Sequence, residues 1–195
     1  MRTPPPALLP LLRSRVQGDV LALLYLAPAE ERSVTEVARL VDASVKAVHQ
    51  EVSRLVEAGL LTDRRLGTSR LVRAAQGSPL TRPLTDLLAV TYGPLPVLRD
   101  LLRLVPGVDR AYVYGSWAAR YEGEPGPVPA DVDVVVVGEA DLDDLDEVAR
   151  AAEHRLHREV NLRRIRTEVW DRGDDPFVLT VRGRPLVALT GAEPG

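Results

Sequence analysis

The sequence predicts an α+β protein of two domains, and three features support this prediction. Apolar residues recur at helical spacing over residues 15–60, which is typical of a small helical domain. A basic segment at 62–73 has the composition of two short strands joined by a turn. Four consecutive valines at 134–137 predict a buried central strand in a second domain. The chain's 195 residues are enough for two small domains, each with its own core.

Composition excludes several kinds of site and location. The chain has no cysteine, so neither a disulfide nor a cysteine-based zinc site is expected, and its 3 histidines disfavour a histidine-rich metal site. No apolar run approaches the roughly 20 residues of a membrane helix. The proline-broken start, residues 1–13, lacks a signal-peptide cleavage pattern. We therefore expect a cytoplasmic protein.

Charge is divided unevenly along the chain. Residues 1–80 carry 11 basic and 8 acidic side chains, a balance of +3, whereas residues 81–195 carry 14 and 20, a balance of −6. A basic surface suits contact with nucleic acid, and an acidic one suits a metal site. The sequence therefore predicts DNA contact in the first half and metal binding in the second.

Helix signals are dense in the first half. Residues 15–26 predict an apolar helix that ends near Pro28. Residues 33–36, with the sequence SVTE, form a capping box whose serine and glutamate satisfy free amides at the start of the next helix. Ser44 is a good N-cap for a third helix, and Gly59 is a good C-terminal stop.

The third helix has two different faces. One stripe is apolar at helical spacing and is expected to be buried; it comprises Val45, Val48, Val52 and Leu55. A second stripe is polar and able to donate hydrogen bonds; it comprises Lys46, His49, Gln50 and Ser53. Such a face suits the major groove of DNA, with a solvated surface as the alternative.

A basic hairpin is predicted directly after this helix. Residues 62–73 are expected to form two strands around a turn at residues 67–69. The segment has one acid, Asp63, and four arginines, which are Arg64, Arg65, Arg70 and Arg73. Their charge suits contact with the phosphate backbone or the minor groove.

The order of helix, capped helix, turn, helix and basic hairpin resembles the winged helix-turn-helix regulators of the ArsR and MarR type over residues 15–75. The resemblance implies double-stranded DNA as the ligand, with protein-binding and RNA-binding winged helices as alternatives. It also implies the residues that contact DNA, which are Lys46, His49, Gln50, Ser53, Arg64, Arg65 and Arg70.

The domain boundaries follow from the turn residues. We expect the winged helix-turn-helix over residues 1–78, a helical linker over 79–107 and the second domain over 108–195. The linker is predicted to hold two helices, at 81–92 and 95–104, which either bridge the domains or pack on the sheet that follows.

The second domain carries a pattern suited to phosphate chemistry. A strand at 111–114 runs into Gly115 and Ser116, which can start a helix whose free amides favour anions. Asp131 and Asp133 begin the valine strand, and residues two apart in a strand face the same way. Carboxylates placed together with substrate phosphates are suited to holding Mg²⁺. A pair of such ions can clamp the attacking and leaving oxygens of an in-line displacement.

The joint order of strand, Gly-Ser turn, helix, loop, Asp-x-Asp and buried strand resembles the polymerase-β-type minimal nucleotidyltransferases over residues 112–137. The resemblance implies a nucleotidyltransferase-like mixed sheet with helices. It implies Mg²⁺ and a nucleoside triphosphate as cofactor and substrate or ligand. Asp131 and Asp133 would be the catalytic and metal-binding residues, and Gly115 and Ser116 would contact the nucleotide.

Three positions depart from the resembled pattern: Ala119 after the Gly-Ser helix start, Ala130 where a serine often precedes the first Asp, and one that bears on metal binding. The family commonly has a third carboxylate on the strand after the long helix, and here Asn161 occupies its place. As a metal ligand Asn161 offers a neutral oxygen, which lowers the negative charge of the site. Glu159, near it in sequence, is expected on the opposite face of the strand.

The remaining segments complete an α/β domain. A helix is expected at about 142–157, a strand at about 160–165, a helix start at Pro176 and a final apolar run at 185–189. Three arginines near the second of these segments suit phosphate, nucleic acid or a solvated strand edge, and they are Arg163, Arg164 and Arg166.

These features leave three functions open. One is a transcriptional regulator whose second domain binds Mg²⁺ and nucleotide as a sensor, with weak transfer at most. Another is an active nucleotidyltransferase acting on a protein, nucleic-acid or small-molecule acceptor, with the winged helix as a tether. The third is an interaction module with an inactive site, which the Gly-Ser and Asp-x-Asp motifs disfavour. A protein partner and a homodimer remain open, and no membrane partner is expected.

Overall fold

The structure is a computed structural model that describes residues 12–27 and 31–190. The chain forms two compact units, with the division between Gly93 and Pro94. The expected proline stop at Pro28 and the proline-rich start at residues 1–11 lie outside the described residues. Among those described, no helix has the length and apolar character needed to cross a membrane.

The first unit is a winged helix-turn-helix. Its elements are α1 (Arg15–Leu26), β1 (Arg32–Ser33), α2 (Val34–Leu40), α3 (Val45–Glu57), β2 (Leu61–Leu66), β3 (Ser69–Ala74) and α4 (Thr81–Tyr92). The three strands pair antiparallel in the order β1-β3-β2. β2 and β3 form the wing, a hairpin with a two-residue turn in which Gly67 has a φ of +59°. The turn is one residue shorter than expected, because Ser69 already pairs with Leu66.

The helix starts predicted from sequence are confirmed by their caps. The Ser33 side chain accepts a hydrogen bond from the Glu36 amide at 3.1 Å, and the Ser44 side chain accepts one from the Ala47 amide at 3.2 Å. The Glu36 carboxylate accepts a bond from the Arg32 guanidinium at 2.6 Å, and not from the Ser33 amide as the capping box predicts. The two serine caps satisfy amides that a helix leaves free, so they fix where α2 and α3 begin.

The core of the first unit includes α4. Leu88 of α4 is fully buried, and its neighbours pack on the same cluster as the apolar face of α1. Gly18 of α1 permits this close approach, because a Cβ there would lie 2.0 Å from the Tyr92 hydroxyl. The segment expected as a linker is therefore divided: α4 belongs to the first unit, and α5 (Pro94–Leu102) belongs to the second.

The apolar face of α3 differs from the expected stripe at one end. Val48, Val52 and Leu55 are buried as predicted, but the prediction for Val45 is wrong, since its side chain is 48% exposed. Val45 is the first residue of α3, and the buried residues of the helix begin one turn later at Val48. Glu51 is buried instead, and it binds Arg54 at 2.9 Å.

The second unit is a mixed sheet with helices. After α5 come β4 (Val108–Tyr114), α6 (Gly115–Tyr121), β5 (Asp131–Gly138), α7 (Leu142–Leu156), β6 (Glu159–Ile165), α8 (Thr167–Arg172), α9 (Pro176–Arg182) and β7 (Val187–Thr190). The strand order is β6-β5-β4-β7, with β5 and β6 parallel and the other pairs antiparallel. The predicted valine strand is β5, an inner strand whose residues 134–137 are fully buried.

Helices cover the face of this sheet that also carries the carboxylates. Tyr112 and Val135 pack with residues of α8 and α9 in one cluster, in which Tyr112 stacks on Trp170 with ring centroids 5.4 Å apart. Because side chains alternate along a strand, Val135 shares its face with Asp133. α8 was not predicted, since its six residues are too few to show a helical period.

Candidate functional sites

The polar face of α3 lies open on the first unit. Lys46, His49 and Gln50 are exposed, and Ser53 is half-buried. Burial of Val48 and Val52 on the other side of the helix fixes this orientation. The structure thus brings all four predicted polar residues to one accessible side of a helix-turn-helix.

Arg70 joins the wing to α3. Its guanidinium donates to Ser53 Oγ at 2.8 Å and lies 3.4 Å from His49 Nε2. It also donates to the Asp63 carboxylate at 2.6 Å. Arg70 therefore fixes the wing against the polar face of α3, and its charge is already matched by Asp63.

The two faces of the wing differ in their arginines. Arg65 pairs with Arg70 across the hairpin, so both side chains lie on the face that looks toward α3. Arg65 is exposed, and no hydrogen bond or ion pair joins it to another residue in the parts of the chain that the structure describes. Its charge is available to a ligand on the same side as the polar face of α3.

Arg64 lies on the opposite face of the wing. Its Nε donates to both carboxylate oxygens of Glu31, at 3.0 and 2.8 Å, and its Nη2 also binds Glu31. The hydrogen bond from Arg64 holds the pKa of Glu31 below its usual value. The wing segment itself contains only one acid, Asp63. Glu31 is distant in sequence and reaches Arg64 only in the folded unit, so the sequence pattern does not predict this ion pair.

The Asp131–Asp133 pair stands at the start of β5. Asp131 is exposed and Asp133 is half-buried, and both project to one face of the sheet. In the parallel register Asp133 lies beside Asn161, whose Nδ2 is 3.4 Å from Asp133 Oδ1. The structure therefore brings Asn161 to the predicted place beside the two carboxylates.

The electrostatics of the pair favour a bound cation. Burial raises the pKa of Asp133 above its usual value, and the nearby charge of Asp131 and the more distant charge of Glu159 raise it further. The hydrogen bond from Asn161 acts in the opposite direction. A cation at this point would relieve the repulsion between the carboxylates.

The expectation that Glu159 faces away is wrong. Glu159 pairs with Asp131 in the β5–β6 register, and it lies two residues before Asn161. Residues two apart in a strand share a face, so Glu159 is on the carboxylate side of the sheet. Within the described residues, no group of three His, Cys, Asp or Glu side chains is arranged to hold a metal ion by itself.

Gly115, the first residue of α6, brings the backbone close to Asp133. Its φ is +68°, a conformation that favours glycine, and a Cβ at this position would lie 2.9 Å from Asp133 Oδ2. Ser116 follows on the first turn of α6 and is exposed. The predicted Gly-Ser turn and the predicted Asp-x-Asp are thus adjacent in space.

Arg158 holds the segment that leads into Asp131, a role that no sequence motif indicates. Its guanidinium donates to the Pro129 carbonyl, and to the Leu156 carbonyl at 3.4 Å. It also lies over the Trp117 ring, 5.1 Å from the centroid. Burial lowers the pKa of Arg158 to about 10. These contacts tie together the ends of the segments that carry the Gly-Ser turn and the carboxylates.

The donor set fits Mg²⁺ shared with phosphates rather than a cage made by the protein alone. Two carboxylates on one face, with a neutral amide beside them, leave most positions of an octahedral ion for water and ligand oxygens. The Gly115 backbone lies close to Asp133, where a Cβ would come within 2.9 Å of Oδ2.

Comparison with known proteins gives partial matches. A family model described as HVO_A0114 matches residues 18–75, within the first unit. No curated protein matches the chain. Reduced HlyU from Vibrio cholerae N16961 is similar at 22% identity, over 43% of this chain and 82% of that one, with a TM-score of 0.35.

Two further solved structures show similarity of the same order. The crystal structure of a toxin-antitoxin with AMP-PNP is similar at 20% identity, over 50% of this chain and 73% of that one, with a TM-score of 0.36. Human N-acetylserotonin methyltransferase with SAM matches at 20% identity over 56% of this chain and 32% of that one, with a TM-score of 0.29.

Proposed function

We propose that the chain is a DNA-binding transcriptional regulator whose second unit binds a nucleotide together with Mg²⁺. The observation that carries the first part is the side-by-side placement of the polar face of α3 and the wing face that bears Arg65. A helix with exposed donors beside a basic hairpin is suited to a major groove and its flanking phosphates.

Support for the nucleotide comes from the carboxylate pair and the glycine beside it. Asp131 and Asp133 would hold Mg²⁺, Asn161 would orient Asp133 through its amide, and Gly115 and Ser116 would face the phosphates. When bound, Mg²⁺ supplies positive charge that neutralises the phosphate oxygens. The residues of this chain position that charge through the rigid register of β5 and β6.

The DNA part is tested by fluorescence anisotropy of a labelled duplex of random sequence across a salt series. The expected result is binding whose logarithm falls linearly with the logarithm of salt concentration, since phosphate contacts release counterions. Binding that is absent at low salt would contradict the proposal.

The nucleotide part is tested by calorimetry with ATP and GTP at millimolar Mg²⁺. Asp133→Asn is expected to lower nucleotide affinity while leaving DNA affinity unchanged, because the two sites belong to different units. Asp146→Asn, which changes an exposed acid on α7, serves as the matched control. If the parent protein binds neither nucleotide, this part of the proposal is wrong.

A second candidate function is active nucleotidyl transfer to an unidentified acceptor. It is favoured by Glu159, whose position on the carboxylate face adds negative charge beside Asp131. Incubating the purified protein with Mg²⁺ and labelled nucleoside triphosphates, followed by a search for a labelled product, distinguishes the enzyme from the sensor.

A further inference from the structure

Arg163 stands on the carboxylate face of the second unit. It follows Asn161 by two residues on β6, so its side chain leaves the sheet on the same side, roughly 7 Å further along the strand. Its guanidinium carbon lies 3.7 Å from the centroid of the Phe177 ring, which belongs to α9. A cation over an aromatic ring is held in place without losing its charge.

Tyr114 completes this group from the other side of β5. Its ring meets Phe177 edge to face, with centroids 5.8 Å apart, and it pairs with Asp133 in the β4–β5 register. Burial raises the pKa of the Tyr114 hydroxyl, Asp133 raises it further, and Arg163 lowers it. Tyr114 thus pairs with Asp133 and contacts the same Phe177 ring that lies under Arg163.

Arg163 has no hydrogen-bonding or ion-pair partner among the described residues. Arg110 lies on the same face of the sheet, but Asp171 binds it at 2.6 Å. Within the described residues, Arg163 is thus an exposed guanidinium that rests on Phe177 and keeps its hydrogen-bond donors for a ligand.

We infer that Arg163, seated on Phe177, binds the phosphate groups of the nucleotide whose Mg²⁺ is held at Asp131 and Asp133. This inference rests on the proposed nucleotide binding and adds the residue that recognises the polyphosphate. A magnesium polyphosphate carries positive charge at the metal and negative charge on its free oxygens. The carboxylates complement the positive charge of the metal. Arg163 complements the negative oxygens through the paired donors that a guanidinium offers to phosphate.

The test compares Arg163→Met with Arg182→Met. Methionine keeps an apolar stem against the aromatic ring but removes the charge. Arg182 is a matched control, because it too lies over a ring, that of Trp170 at 4.7 Å, on a residue the carboxylate site does not use. Calorimetry of each full-length protein with Mg²⁺ and ATP, AMP, adenosine or inorganic tripolyphosphate gives the affinities.

Arg163→Met is expected to weaken binding of ATP and tripolyphosphate about tenfold or more, the usual scale for a charge-assisted phosphate contact. Adenosine binding should stay unchanged, and Arg182→Met should bind all four ligands like the parent. If Arg163→Met binds ATP and tripolyphosphate as tightly as the parent, the inference is overturned and nucleotide binding stands. If the parent protein binds neither ATP nor tripolyphosphate, the inference about Arg163 and the proposed nucleotide binding are both overturned.

Discussion

At the scale of single residues, Gly115 links the shape of the backbone to the position of a carboxylate. Gly115→Ala places a side chain at a φ of +68° and within 2.9 Å of Asp133 Oδ2. The strained backbone should lower the free energy of unfolding by about 1 kcal/mol or more. Displacement of Asp133 should in addition reduce affinity for Mg²⁺ and ATP, measured by calorimetry.

Gly123→Ala separates these two effects. Gly123 has a φ of +88°, but a Cβ there would meet no atom within 4 Å. Thermal melts should therefore show a similar loss of stability for both variants, while only Gly115→Ala weakens nucleotide binding. Equal nucleotide affinity in the two variants would show that the contact with Asp133 is not needed.

Asn161 tunes the charge of the same site. Asn161→Asp removes the donor to Asp133 and adds a like charge, so it should raise the pKa of Asp133 further. Without metal the variant should be less stable than the parent at neutral pH. It should then gain more stability from added Mg²⁺, because a ligand that binds only the folded state stabilises it by mass action.

The measurement is a series of thermal melts of both proteins across a Mg²⁺ titration. The pKa of Asp133 is raised in the folded protein, so its carboxyl binds a proton more tightly there than in the unfolded chain. Lowering the pH toward that pKa therefore increases the stability of the fold. Lowering the pH should therefore reduce the difference in melting temperature between Asn161→Asp and the parent. Melting temperatures that rise in parallel with Mg²⁺ would contradict a role for Asn161 beside the metal.

Residue-level prediction from sequence succeeded where the cause is local. The serine caps of α2 and α3 follow from short motifs. The placement of Asn161 beside Asp133 is instead what the resemblance to the nucleotidyltransferases implies, since the two residues are 28 positions apart. The Arg64–Glu31 pair and the Arg158 contacts join residues distant in sequence, so no pattern announces them. Glu159 is different, because the two-residue period of a strand already places it on the same face as Asn161.

At the scale of elements, the wing is a hairpin whose two faces have different partners. Arg65→Ala should weaken binding to all DNA sequences and reduce the salt slope by about one, as expected for one lost phosphate contact. Arg64→Ala should change DNA affinity less, because Glu31 already binds Arg64 on the other face. Anisotropy titrations over a salt series measure both variants.

One result would contradict the expected difference between Arg64→Ala and Arg65→Ala. If Arg64→Ala weakens DNA binding as much as Arg65→Ala, both faces of the wing take part, and Arg64 exchanges Glu31 for phosphate on binding. Arg70→Ala is a poorer test, because it also removes the contacts with Ser53 and Asp63 that fix the wing against α3.

Long helices were predictable from their apolar period, whereas the shortest strand was not. The bounds of α1 and α4 coincide with those expected, since twelve residues each show a full apolar period. β1 has two residues, and only its pairing with β3 makes it a strand. Such an element is created by tertiary contact, so its own sequence carries no signal.

At the scale of the whole molecule, charge follows the two units. Residues 1–93 hold 12 basic and 9 acidic side chains, a balance of +3, whereas residues 94–195 hold 13 and 19, a balance of −6. The net positive charge of the first unit suits it to bind a polyanion, and the net negative charge of the second suits it to bind a cation. The boundary itself was not visible in sequence, because α4 and α5 are adjacent helices separated only by Gly93.

That boundary makes a prediction about fragments of the chain. A fragment of residues 1–93 should melt in one cooperative transition, because it keeps α4, whose Leu88 is fully buried in the core of the first unit. A fragment of residues 1–78 ends where the turn residues of the sequence suggested, and it lacks α4. Losing even one buried leucine side chain costs about 2–5 kcal/mol. The shorter fragment should therefore melt at least about 10 °C lower, on the usual scale for a domain of this size.

Leu88→Ala within the longer fragment tests whether packing is the cause. Its melting temperature should fall between those of the two fragments, because the variant keeps the rest of α4 against α1 while removing the buried side chain. Far-ultraviolet circular dichroism during heating measures all three. Equal melting temperatures for the fragments 1–78 and 1–93 would mean that α4 contributes nothing to the core, and the winged helix would then be complete at the end of its wing.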